Sequence, residues 1–79
     1  MPTLVLVGVE QTGWSCPSSW EAVDIFGGRW YLRYRSGVGT VTPANRVVPL
    51  ISFDTGDSLD GTMDLITFAR CARIVLGLN

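Results

Sequence analysis

Residues 29–35 read Arg-Trp-Tyr-Leu-Arg-Tyr-Arg, and their hydrophobic and polar positions alternate. Trp30, Leu32 and Tyr34 fall on one side of an extended chain, while Arg29, Tyr31, Arg33 and Arg35 fall on the other. That period of two predicts a half-buried antiparallel strand. Upstream, residues 4–9 form a short β-branched run that predicts a first strand, and residues 11–19, with Gly13, Pro17 and three serines, predict a loop. Residues 20–25 start another strand, which Gly27-Gly28 turns, with Trp20 anchoring it in the core. Ser36-Gly37 makes the next turn, residues 38–42 a short strand, and residues 43–45 a break. Residues 47–53 also look like a strand, but Pro49 cannot donate to a ladder and puts that strand at an edge or a bulge.

The period changes after the acidic, glycine-containing loop at 54–61. From Met63 or Leu65 to Leu76, the residues Leu65, Phe68, Ala69, Ala72, Val75 and Leu76 share one stripe at 3.6-residue spacing. Thr62 or Asp64 can cap the first amides, and Gly77 suits the position after the last turn. Asp60 and Asp64 lie near the positive end of the helix dipole, and Arg70 and Arg73 towards its negative end. One apolar stripe laid on one face of a sheet buries both. The expectation is therefore an α+β domain spanning residues 1–79, with an antiparallel sheet of three to five strands packed against one C-terminal helix.

Composition alters this picture in two ways. Only 16% of the residues are charged, against 47% hydrophobic, so either the core is large for the length or some apolar surface meets a partner, and a partner or a homodimer is the favoured expectation. All basic residues are arginine, histidine is absent, and the net charge is −1. The absence of histidine removes the usual general base and the commonest metal ligand. Cys16 and Cys71 are too few for a structural zinc site. With no basic leader before residues 4–7, they are expected as reduced thiols in a cytoplasmic protein. No run approaches the ~18 apolar residues of a membrane span. The chain is expected to have no catalytic residues, no cofactor and no metal, and to be no enzyme.

Four segments invite a chemical reading. Arg29, Tyr31, Arg33 and Arg35, with Thr40 and Thr42 on the neighbouring strand, could meet a protein or, through phosphates and base stacking, a nucleic acid. The plain alternative is a solvated face whose arginines pair with Glu21 or Asp24. The loop from Asp54 to Asp64 approaches a calcium-binding pattern, but the only register that places its glycine correctly puts Gly56 and Thr67 where carboxylates are needed. Cys16, Ser18 and Ser19 have no histidine or lysine to activate them, and Cys71 is expected as a small buried hydrophobe. On the outward side of the helix, Ile66 and Ile74 beside Arg70 and Arg73 form a second candidate contact.

Three boxes carry a family resemblance: Cys-Pro-Ser-Ser-Trp-Glu at 16–21, Tyr-Leu-Arg-Tyr-Arg-Ser-Gly at 31–37, and Ser-Leu-Asp-Gly at 58–61 before the helix. Together they resemble small proteins of unassigned function from phages and prophages of actinobacteria. Ser19 stands where that group tends to carry glutamine, Ser36 where it carries an aromatic residue, and the helix lacks its glutamate, Thr67 or Phe68 standing there instead. The resemblance implies an accessory protein in the cytoplasm of an infected or lysogenic bacterium and transfers no catalytic residue. The expected role is binding a host or phage protein, through Tyr31, Arg33 and Arg35 or through Ile66, Arg70, Arg73 and Ile74. The alternatives are a nucleic-acid-binding module using the Arg29–Arg35 face and a self-assembling virion component. The net charge weighs against nucleic acid.

Overall fold

The computed structural model describes residues 4–14, 18–56 and 62–77. Its elements run β1 (Val5–Trp14), β2 (Ser18–Asp24), β3 (Arg29–Arg35), β4 (Val38–Pro43), β5 (Ile51–Asp54), α1 (Leu65–Ala72) and β6 (Val75–Leu76). The strands form one sheet in the order β5-β4-β3-β2-β1-β6. The α+β class and the single C-terminal helix agree with the sequence pattern. The strand count does not: the described residues form six rather than three to five, and β6 runs parallel to β1, so the sheet is mixed rather than wholly antiparallel.

The β3–β4 hairpin turns on Ser36 and Gly37, whose φ values of 55° and 78° are the left-handed pair that a two-residue connection needs. The β2–β3 turn is held by Asp24. Its carboxylate accepts from the amides of Phe26 and Gly28, each at 2.8 Å, and from the Trp30 indole N–H at 2.8 Å. β1 is longer than expected and runs into the segment read as a loop. Bulges near Gly8 and Gly13 let it follow β2 as far as Trp14. The strand expected over 47–53 is shorter, because residues 44–50 form a loop and only Ile51–Asp54 pair with β4.

The helix is also shorter than its apolar stripe. Asp64 caps it, its carboxylate accepting from the Thr67 amide at 2.7 Å. Arg73, not Gly77, closes it, adopting a left-handed conformation at φ 59°. The Ile74 amide then bonds back to Ala69 at 3.0 Å, and the chain turns to pair with β1 through Val75 to Leu4 and Gly77 to Leu6. Val75 and Leu76 satisfy a helical stripe equally well as a strand, so side-chain spacing alone could not place this end. Ile74, expected on the wet side, is 6% exposed and part of the core, whereas Ile66 is 64% exposed. Cys71, expected in the core, is exposed.

A flat sheet of six strands spaced about 4.8 Å apart would hold its edges about 24 Å apart. A helix is only about 10–12 Å across. Yet α1 touches β4 and β5 at one edge and β6 at the other, so the sheet curls around it. The Phe68 ring lies between Trp20 of β2 and Phe53 of β5, with its centroid 5.1 Å from each. Leu6, Ala22, Leu32, Tyr34 and Val41 complete the inner face, and Ala69, Ala72 and Ile74 meet them from the helical side. Gly39 of β4 leaves the room that Phe53 fills, since a Cβ there would overlap the ring at Cζ and Cε1. Ser18, fully buried, donates to the Trp14 carbonyl at 2.9 Å and accepts from the Met63 amide at 3.2 Å, tying the segment before the helix to the sheet.

The exchange of roles between the two isoleucines can be measured by urea denaturation. Ile74→Ala is expected to cost about 2–5 kcal/mol, the range for emptying a core position. Ile66→Ala should stay within about 0.5 kcal/mol of the parent.

Candidate functional site

The register of the strands lays out the face turned away from the helix. Glu10, Glu21, Tyr31 and Thr42 stand side by side in one row across β1 to β4. The next row holds Gly13, Ser19, Arg33, Thr40 and Ser52. Val23 and Arg29 lie opposite one another beyond the first row. The loop after β4, tied to β3 by the Ala44 amide and the Arg29 carbonyl at 3.0 Å, adds Arg46, Val47 and Pro49 along one side. The result is a groove of about 980 Å³.

Its charge content is high for so weakly charged a chain. Of the six arginines and seven carboxylates, three and two line this groove: Arg29, Arg33 and Arg46 with Glu10 and Glu21. The Tyr31 ring, 40% exposed, stands among them. Among the described residues Asp24 does not take up the expected pairing with these arginines, because its carboxylate is occupied by its own turn and by Trp30. Arg33 carries the clearest sign of an unfinished interaction. Its Nε is shut off from solvent and has no hydrogen-bond partner among the described residues. A buried donor left unpaired is uncommon in native proteins, because it has lost water without gaining an acceptor.

The sequence-derived site residues therefore separate. Tyr31 and Arg33 line the groove together with Arg29, whereas Arg35 is exposed opposite Val38 and lies outside it. Ile66, Arg70 and Arg73 are exposed at the helix, which packs on the other face of the sheet, and Ile74 is buried and unavailable. Arg46 and Glu10 escaped the sequence reading. Only the sheet order brings Glu10 level with Tyr31, and only the path of the 44–50 loop brings Arg46 to the rim. Cys16 and most of the acidic loop (Asp57, Asp60 and Gly61) lie outside the described residues.

At one end of the groove two loops project apolar side chains. Phe26 is 90% exposed on the β2–β3 turn beside Ile25, and Val47 is 94% exposed on the β4–β5 loop with Val48 and Leu50 nearby. Both loops leave the sheet at the end where Asp24 and Pro43 stand. Among the described residues, no three His, Cys, Asp or Glu gather to hold a metal ion, and no helix is long and apolar enough to cross a membrane. No protein-family model, curated protein or solved structure matches the chain.

The turn that shapes this end carries a pH signature. Chiefly the Trp30 indole N–H, then the Gly28 and Phe26 amides, hold the Asp24 carboxyl below its usual value of 3.8, against the opposing effect of burial. The Thr67 side chain and amide, with Arg70, do the same for the helix cap Asp64. Both groups are depressed in the folded state, so the stability they contribute is fully present above pH 3.8 and is lost as pH falls through their lower folded values. In urea titrations the unfolding midpoint should drop across that acidic window. Asp24→Asn should flatten the drop, and a slope unchanged in the variant would show that the turn is not linked to the proton.

Proposed function

We propose that this chain is a small, non-enzymatic accessory protein of phage type that acts by binding another protein, with the Tyr31 groove as the contact surface. The observation that carries the reading is the composition of the groove: an aromatic ring among guanidiniums and carboxylates, flanked by exposed apolar loops. Arginine and tyrosine are enriched among residues that dominate binding energy at protein interfaces, and apolar surface next to them excludes water. The three boxes that resemble actinobacterial phage proteins support a host or phage protein as the partner. Of the two surfaces read from the sequence, the sheet face is favoured over the helix. Burial of Ile74 leaves the helical surface with one large apolar side chain, Ile66.

A polyanion is the poorer fit. Glu10 and Glu21 lie level with Tyr31 on the face that would have to accept phosphates, and the chain carries a net charge of −1. Self-assembly has one observation in its favour. β6 covers only Val5 and Leu6 of β1, so residues 8–14 of that strand face outward along one edge among the described residues. A free edge of this kind can add a strand from a second copy.

The reading is tested with tagged protein in lysate of a phage-carrying actinobacterium. Tyr31→Ala is expected to weaken capture of the partner by about tenfold or more, the scale of an interface hot spot, whereas Ile66→Ala leaves it unchanged. The opposite pattern moves the contact to the helix. A salt-sensitive gain in affinity for single-stranded or duplex DNA moves it to nucleic acid. Light scattering across a concentration series reads the self-assembled alternative directly.

A further inference from the structure

We infer that two copies of this chain join through the apolar end of the sheet, the Phe26 side chain of each seating in the β4–β5 loop of the other. This contact stands beside the Tyr31 groove and does not rest on the reading of that groove. Phe26 is almost fully exposed, yet its backbone is held in place. Its amide and that of Gly28 both donate to Asp24 Oδ1 at 2.8 Å, and Gly27 takes the positive φ of 84° between them. A ring on so fixed a turn has little order left to lose on contact. The β4–β5 loop is held as well. The Ala44 amide donates to the Arg29 carbonyl at 3.0 Å, the Arg46 amide to the Pro43 carbonyl at 3.0 Å, and the Leu50 amide to the Val41 carbonyl at 2.9 Å. Residues 44–48 of that loop line a hollow of about 530 Å³. The bond to Arg29 joins the loop to the strand that leaves the Phe26 turn, so knob and hollow sit at one end of the same sheet.

Three arguments make the occupant a second copy. A knob and a hollow side by side on one chain are what a two-fold contact requires, since the symmetry then uses each of them twice. The area is sufficient. At their exposures Ile25, Phe26, Val47, Val48 and Leu50 present roughly 650 Å² per chain, so covering them in both copies removes about 1,300 Å² from water, which reaches the lower bound of a stable interface. Charge agrees: Asp24 lies behind the knob and Arg46 beside the hollow, and the two-fold turns the carboxylate of each copy towards the guanidinium of the other. Such a contact also accounts for a chain in which only 16% of the residues are charged.

The test is sedimentation velocity of the purified protein across a concentration series, with a reductant present so that the exposed Cys71 cannot link copies. The expected result is a reversible equilibrium between monomer and dimer. Phe26→Ala and Val47→Asp should each raise the dissociation constant about tenfold or more, the scale of an interface hot spot. Both side chains are exposed, so the folded spectrum should not change. Ile66→Ala, on the helix, should leave the equilibrium where it was. The deciding arm mixes the two weakened variants. Phe26→Ala keeps an intact hollow and Val47→Asp an intact knob, so the mixture regains one of the two contacts and associates more strongly than either variant alone. A strict monomer at millimolar concentration, or a mixture no stronger than its parts, overturns the inference. A dimer insensitive to Phe26→Ala also overturns it and moves the contact to the open edge of β1. Growth past the dimer overturns it too, because the two-fold would not close.

Discussion

The placement of Phe68 between Trp20 and Phe53 is the constraint on which the rest of the structure depends. Trp20 belongs to the second strand and Phe53 to the fifth, and one ring from the helix meets both. Aromatic rings in tilted and edge-on contact gain from their quadrupoles as well as from burial. That one contact brings a distant edge of the sheet over the helix. The curl that follows allows an eight-residue helix, too short to be stable alone, to cover the inner face of the sheet. It also requires Gly39 behind the Phe53 ring.

The left-handed turn at Arg73 completes the closure from the other side. A non-glycine residue in that conformation costs on the order of 1 kcal/mol, and two gains offset it. Ile74 enters the core, and the following strand pairs with β1. The helix is thereby held at both ends, by Asp64 and Ser18 where it starts and by the β6 pairing where it stops. With the core side chains of the sheet committed to the helix, the opposite face carries its charged ones, beside the exposed Tyr31 and Val23. This division of the sheet into a dry side and a charged side creates the groove, and the β4–β5 loop deepens it.

Much of this was legible from spacing. The alternation in Arg29–Arg35 assigns Trp30, Leu32 and Tyr34 to one side and Tyr31 and Arg33 to the other, as the register has them. Side chains on a strand point to opposite faces in strict turn, so no tertiary information is needed for that assignment. Leu65, Phe68, Ala69 and Ala72 followed as readily from the helical period. Ile74, Val75 and Leu76 did not, because apolar residues after a helix fit a continued stripe and a new strand alike, and the arginine at the turn gives no glycine signal.

Local chemistry in the chain thus determined the α+β class, both hairpin turns, the helix and the faces of the central strand. Each depends on residues within a few positions of one another. Tertiary structure decided the sixth strand, the parallel pairing, the burial of Ile74 and the assembly of Glu10, Glu21, Arg33 and Arg46 around Tyr31. These depend on which distant segments become neighbours. That is settled by how one helix can cover a curled sheet, a packing problem that no local pattern encodes.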